Sequence, residues 1–383
     1  MATAVAPRYE EIAFTDALTA WSAAVDGVGT WWTSALRRQV TPWQVADETL
    51  RWWTEVVGRR RPTWSTPHTV VWETPIARLR NFSTDSDTVP TLVLPPQAGH
   101  DSCIVDYSPT QSQLRTILAA GLTNAYCLDW VGATRATRDT GIEDYLAVID
   151  AAVDSTGGPV NLVGDCQGGW LATVYAALRP ERVNTLTIAG APIDFHAGRP
   201  VIGAAMRAFA PGGDLSFYRA LVAAGGGVLD GRCQLAGFVA MQPDNEVARQ
   251  LSLLVNINDE AHVTRYREFE DWFKHTQPIP GAFYLWIVEQ LFRDNKLISG
   301  DLRIGGQQVD LGRIRCPLNL LAGATDHITP AAQVFALAEY AGTPGTEVVQ
   351  GITDGGHLGL FMGHDALSGH WPRLLAAVLE RSR

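Results

Sequence analysis

Apolar residues along the chain fall into short unbroken runs separated by helical patterns, the arrangement expected of a buried parallel sheet covered by helices. The runs Thr91-Leu92-Val93-Leu94, Val160-Asn161-Leu162-Val163 and Pro317-Leu318-Asn319-Leu320-Leu321-Ala322-Gly323-Ala324 predict buried strands, and Glu347-Val348-Val349 predicts a further one. Ahead of them, the stretches from His68 to Glu73 and from Ala77 to Phe82 read as strands that open the sheet. Helical patterns cover Leu171 to Leu178 and His370 to Leu379. Strands alternating with helices imply right-handed crossovers, hence an α/β fold with a mostly parallel, doubly wound sheet.

Two stretches break the alternation. Residues 1–66 read as helical and hold Trp21, Trp31, Trp32, Trp43, Trp52, Trp53 and Trp64, more than half of the 13 tryptophans in the chain. Amphipathic helices packing on the core are one reading; a surface for a partner subunit or a second copy is the other, since aromatic residues are favoured at interfaces. Residues 196–312 carry Gly212-Gly213 and Gly225-Gly226-Gly227 between helical stretches rich in Phe, Tyr and Trp. An insertion at this place reads as a cap, its aromatics serving packing first and shielding a pocket second. The expected organisation is therefore an N-terminal Trp-rich helical segment (1–66), a first part of the core (67–195), a cap (196–312) and a second part of the core (313–383).

Composition narrows the class. A hydrophobic fraction of 46% supports a large core, and 18% charged residues is too few for a disordered or nucleic-acid-binding chain. The net charge of −10 argues against nucleic acid as a partner. Arg59-Arg60-Arg61 is a local basic patch that reads as a solvated helix end. Cys103, Cys127, Cys166, Cys233 and Cys316 are dispersed and odd in number, which predicts neither a disulfide framework nor a metal site. No signal peptide or membrane-spanning stretch is recognisable, so a cytoplasmic location is expected.

The chemistry concentrates at Gly164-Asp165-Cys166-Gln167-Gly168-Gly169. A strand runs into a Gly-X-nucleophile-X-Gly turn and a helix follows, the setting of a nucleophile elbow, with cysteine where serine is usual. The competing reading of Cys166 is a core cysteine in a tight βα turn. In this architecture the acid and then the histidine follow the nucleophile in the chain. Asp326 stands just past the strand ending at Ala324, and His357 stands in the Gly-rich loop Gly351-Ile352-Thr353-Asp354-Gly355-Gly356-His357-Leu358-Gly359. Asp326 could instead only cap the helix that begins after Pro330. His327 is expected to point away from the centre, and His364 and His370 to lie at the surface or at helix ends. In the catalytic reading His357 takes the thiol proton, Asp326 orients the imidazole, and the amide of Gln167 is one oxyanion donor. The second donor is assigned to Gly99, in the loop after the strand Thr91 to Leu94.

These residues resemble the polyhydroxyalkanoate synthases, cysteine-dependent members of the α/β-hydrolase superfamily. The resemblance rests on the Gly164 to Gly169 box, on Leu128-Asp129-Trp130 with Gly141-Ile142-Glu143-Asp144-Tyr145, and on Asp294-Asn295-Lys296-Leu297, Gly300, Gly305-Gly306 and Val309-Asp310-Leu311. Asp326-His327-Ile328-Thr329-Pro330 and Gly356-His357-Leu358 complete it. It implies an α/β-hydrolase fold and an acyltransferase that moves 3-hydroxyacyl groups from coenzyme A thioesters, through a thioester on Cys166, to a growing polyester. No cofactor is implied beyond that CoA thioester substrate, and polymer-granule association would accompany the cytoplasmic location. The chain departs from the family at Gln97-Ala98-Gly99-His100-Asp101 and at Val131, where glycine is usual. These departures keep open a cysteine hydrolase that cleaves esters, thioesters or polyester oligomers.

Overall fold

The computed structural model describes residues 27–85, 87–198 and 200–383. Trp21 and the rest of residues 1–26 lie outside the described residues. The chain divides by compactness into two units, one from Met1–Pro62 with Cys233–His275, the other from Thr63–Arg232 with Thr276–Arg383. The boundaries expected at 196 and 312 do not coincide with this division. Residues 233–275 group with the N-terminal helices, and residues 276–312 group with the sheet.

The larger unit is built on eight strands: β1 Thr69–Glu73, β2 Ala77–Asn81, β3 Thr91–Leu94, β4 Ala125–Trp130, β5 Val160–Asp165, β6 Val183–Ala189, β7 Leu318–Gly323 and β8 Val348–Thr353. Their spatial order is β1-β2-β4-β3-β5-β6-β7-β8. β2 is antiparallel to both its neighbours and every other pair is parallel. β3, β5 and β7 are buried at every position, which explains why they read as unbroken apolar runs. β8 is half exposed, and its polar Gln350 and Gly351 hid its second half from the hydrophobic pattern.

The helix Ile142–Thr156 starts with the Asp144 carboxylate accepting from the Gly141 amide and ends on Gly157 in the left-handed region. Its Tyr145 stacks on Phe283, with ring centroids 3.9 Å apart, and Phe283 packs in turn against Trp170 of the helix Gln167–Leu178. Phe283 thus fills the core of this unit, an ordering that favours packing as the role of these aromatics.

Within the smaller unit, the helix Pro42–Val57 begins with a reciprocal cap between Thr41 and Gln44. Trp52 and Val56 pack against Leu253, Ile257, Val263 and Tyr266. Glu48 is buried and accepts from Trp31 Nε1 (3.2 Å), from both Nη atoms of Arg38 (2.6 and 3.0 Å) and from Asn258 Nδ2 (2.8 Å). The Arg38 hydrogen bond outweighs desolvation and holds the Glu48 carboxyl down at about 2. The tryptophans divide: Trp31 is buried, whereas Trp32, Trp43 and Trp53 are exposed. Among the described residues no helix is long and apolar enough to cross a membrane.

Candidate active site

Chain order reverses about β3 and β5, and the crevice outside the carboxyl ends of strands at such a reversal is where open α/β sheets bind ligands. Cys166 follows β5 there with φ +49° and ψ −114°, a conformation unusual for any residue but glycine. The surrounding backbone makes this turn obligatory. A Cβ on Gly164 would lie 2.5 Å from the Gly168 carbonyl oxygen, and one on Gly168 would lie 1.9 Å from the Leu94 carbonyl oxygen. The turn is therefore pressed against the end of β3. Cys166 N donates to Ala189 O of β6 at 2.8 Å, and the helix Gln167–Leu178 starts at once. Gln167 N thus belongs to the first helical turn, whose amides have no intrahelical acceptor.

The structure brings Asp326 and His357 to the same place. Asp326 Oδ2 meets His357 Nδ1 at 2.7 Å, and the charge of Cys166 acts on the same imidazole. The other carboxylate oxygen, Oδ1, accepts from Ile328 N (2.9 Å) and Thr329 N (2.8 Å). Asp326 thus orders its own turn and orients the imidazole at once, while the helix Ala331–Tyr340 starts from Pro330 without a side-chain cap. Burial opposes protonation of His357, but the Cys166 and Asp326 charges and their hydrogen bonds prevail and raise its pKa well above that of free histidine. The loops carrying Asp326 and His357 are tied together: Ala324 N donates to Thr353 O at 2.8 Å. His327 gives its carbonyl to Val201 N, His364 is exposed, and His370 lies 3.9 Å from Asp365.

Gly190, just beyond β6, was not singled out by the sequence. Its φ is +55°, and a Cβ there would stand 2.8 Å from Leu360 Cδ1 and 3.2 Å from His357 Cε1. It leaves room for the imidazole, which also meets Phe361 edge-on at 5.4 Å. A glycine directly after a buried strand, at the end where chemistry gathers, was the available signal.

The loop after β3 begins Pro95-Pro96, and proline has no N–H, so backbone donors in this loop start at Gln97. Trp130 Nε1 donates to Pro95 O (2.9 Å), Tyr145 Oη donates to Gln97 Oε1, and Gln277 N donates to Gly99 O (2.8 Å). Asp101 accepts from Cys103 N (3.0 Å) and Gln277 Nε2 (2.9 Å). Gly99 therefore sits in a tethered loop with φ +88°. All five cysteines are free, with Cys103 and Cys127 buried and Cys233 exposed. Among the described residues, no group of three or more His, Cys, Asp or Glu could hold a metal ion.

An eight-stranded sheet in this order, with its second strand reversed and a strained cysteine-bearing turn after the fifth, defines an α/β-hydrolase fold. The chain belongs to the family described as "Protein of unknown function (DUF3141)", whose model matches residues 68–364. It is 29% identical over 368 residues to the "Poly(3-hydroxyalkanoate) polymerase subunit PhaC" of Haloferax mediterranei, covering 91% of this chain and 72% of that protein. To the protein of the same name from Haloarcula marismortui it is 27% identical over 360 residues, covering 88% and 72%. To that of Allochromatium vinosum it is 25% identical over 266 residues, covering 68% and 72%. These similarities make the chain a polyhydroxyalkanoate-synthase-like α/β-hydrolase and an enzyme.

Proposed function

We propose that the protein is a polyhydroxyalkanoate-synthase-like acyltransferase in which Cys166, His357 and Asp326 form a catalytic triad. The observation that carries this is the 2.7 Å hydrogen bond between His357 and Asp326 together with the strained turn bearing Cys166, all at the carboxyl ends of β5, β7 and β8. His357 takes the Cys166 proton, and the thiolate attacks the carbonyl of a 3-hydroxyacyl-CoA. Gln167 N, with Gly99 N as second donor, stabilises the oxyanion. The tetrahedral intermediate collapses, the C–S bond to CoA breaks, and the imidazolium returns a proton to the departing thiolate. A second hydroxyl then gives its proton to His357 and attacks the enzyme thioester. An ester forms, and the Cys166 thiolate leaves and recovers the proton. The chemistry needs no cofactor besides the CoA thioester that is its substrate.

The names of the relatives support this substrate class and a polyester product. The same reading assigns the exposed Trp32, Trp43 and Trp53 to a partner subunit, a second copy or a polymer-granule surface. The loop Gln97 to Asp101, which departs from the family pattern, favours a second reading, a cysteine hydrolase in which water replaces the hydroxyl. The test is purified protein given 3-hydroxybutyryl-CoA, with a hydroxyl-terminated primer. CoA release with ester-linked oligomers on Cys166, absent in Cys166→Ala, is expected. Free 3-hydroxybutyrate as sole product would make the protein a hydrolase, and acyl label on Cys103 or Cys233 would overturn the triad.

A further inference from the structure

Buried aspartates of the larger unit are solvated by the protein in very different ways. Asp106 accepts from Ser65 Oγ (2.9 Å), Thr66 N (2.8 Å), Thr66 Oγ1 (2.7 Å) and Ser112 Oγ (2.6 Å). Asp326 has two backbone amides and His357. Asp165, the last residue of β5 and the neighbour of Cys166, is as deeply buried as Asp106 but, among the described residues, accepts from one donor, Gln113 Nε2, to Oδ1 at 3.1 Å. Among the described residues its Oδ2 has no partner, and neither does Oε1 of the equally buried Gln113.

A buried carboxylate whose one hydrogen bond comes from a neutral donor is costly in free energy, whereas a buried carboxylic acid is not. Two orphaned acceptors on groups already joined by one hydrogen bond lack a single hydrogen between them. A planar acid and a planar amide joined at one edge close into a ring when the acid keeps its proton, with N–H donating to one oxygen and O–H to the other. We propose that Asp165 is held as a neutral carboxylic acid whose Oδ2–H donates to Gln113 Oε1, making it a positioning residue that keeps a second negative charge from beneath Cys166 and His357.

Burial is the dominant influence on Asp165; the Gln113 bond and the His357 charge oppose it, and its pKa is pushed up to about 8. The titratable groups facing it are Cys166 next to it, His357 from the loop after β8, and Cys127 of β4, whose thiol burial raises. An anion at Asp165 would bind the His357 proton more tightly, and His357 must release that proton to activate the acceptor hydroxyl. This consequence for turnover rests on the acyltransferase reading; the protonation state does not.

Asp165→Asn is the neutral isostere, since its Nδ2 can donate to Gln113 Oε1. The folded protein would keep a proton on Asp165 up to pH about 8, while the unfolded chain loses it near 3.8. Folding therefore takes up a proton in that window, and wild-type stability falls as pH rises through it. Asp165→Asn should match wild type near pH 4 and melt progressively higher than wild type as pH approaches 8. Difference infrared spectra at pH 6 should show the carbonyl stretch of a protonated carboxyl in wild type and not in Asp165→Asn. In turnover, the variant should stay within about threefold of wild type at pH 7 and lack an alkaline decline centred near pH 8. A variant that melts below wild type at pH 7, or a wild type without that band, would overturn the assignment. A correct band and melting gain with no change in the alkaline limb would remove only the role in turnover.

Discussion

Replacing Gly190 with alanine is the sharpest probe of how the imidazole is held. Its added methyl would meet Leu360 Cδ1 at 2.8 Å, His357 Cε1 at 3.2 Å and Phe361 Cζ at 3.3 Å, on a backbone with φ +55°. The left-handed conformation costs an alanine about 1 kcal/mol, and crowding a packed site adds about 1–3 kcal/mol. Together, at about 2–4 kcal/mol, these lower the melting temperature by about 3–7 °C in a unit of this size. The ring cannot simply retreat, because Asp326 holds Nδ1, the atom bonded to Cε1, at 2.7 Å and Phe361 stands edge-on against it. A displacement of a few tenths of an ångström is therefore expected, and it should slow acylation of Cys166 about tenfold, less than the hundredfold that a full ångström can cost. Stopped-flow release of CoA measures the step. The double variant Gly190→Ala with Leu360→Val separates the two effects: it relieves the closest contact and should recover part of the melting temperature, while the contact with His357 and the loss of rate remain. A folded Gly190→Ala protein that acylates at the wild-type rate would refute this account of the imidazole's position.

Three further perturbations follow from the charges. His357→Gln should slow iodoacetamide alkylation of Cys166 at pH 7 by about tenfold to a hundredfold, because no base takes the thiol proton. Asp326→Asn should leave alkylation closer to wild type while lowering turnover by about 10²–10⁴. Since the Cys166 and Asp326 charges raise the His357 pKa, wild-type alkylation should persist at pH 6, where His357→Gln has lost it. Equal alkylation of wild type and His357→Gln across this range would remove His357 as the base. In the smaller unit, Glu48→Gln should cost about 1–2 kcal/mol at pH 7, allowing for the partial exposure of Arg38. The Glu48 carboxyl titrates at about 2 when folded against 4.5 ordinarily, so its contribution is full above pH 4.5 and vanishes as pH falls toward 2. Melting curves of the two proteins should converge over that window, and a gap constant with pH would exclude the ion pair as its source.

The sheet and the three candidate catalytic residues were legible because both rest on local rules. A strand buried on both faces has to be an apolar run, so β3, β5 and β7 announced themselves within a residue or two of their bounds. An elbow of this kind has to have glycines where its own backbone folds back and where it meets β3, so Gly164 and Gly168 marked Cys166. What stayed hidden depends on partners distant in the chain. Nothing near residue 165 shows that its carboxyl will lack donors, since that depends on Gln113, 52 positions away. The grouping of residues 233–275 with the N-terminal helices was hidden in the same way, because an amphipathic helix shows that it has an apolar face and not which surface covers it.

The oxyanion loop joins these two kinds of information. Pro95 and Pro96 remove two backbone donors where the loop leaves β3, so any second donor has to come from Gln97 onward, and its position depends on how that stretch is held. It is held by side chains rather than by a sheet: Tyr145 binds the Gln97 amide, Trp130 binds Pro95 O, and Gln277 spans Gly99 and Asp101. Tyr145 is fixed in turn by stacking on Phe283, and Phe283 packs against Trp170 of the helix that begins behind Cys166. The two sides of the proposed oxyanion site thus share one aromatic core. The Gln97 to Asp101 sequence, which departs from the family pattern, still has a rigid support, and its unusual residues are the ones engaged in that support.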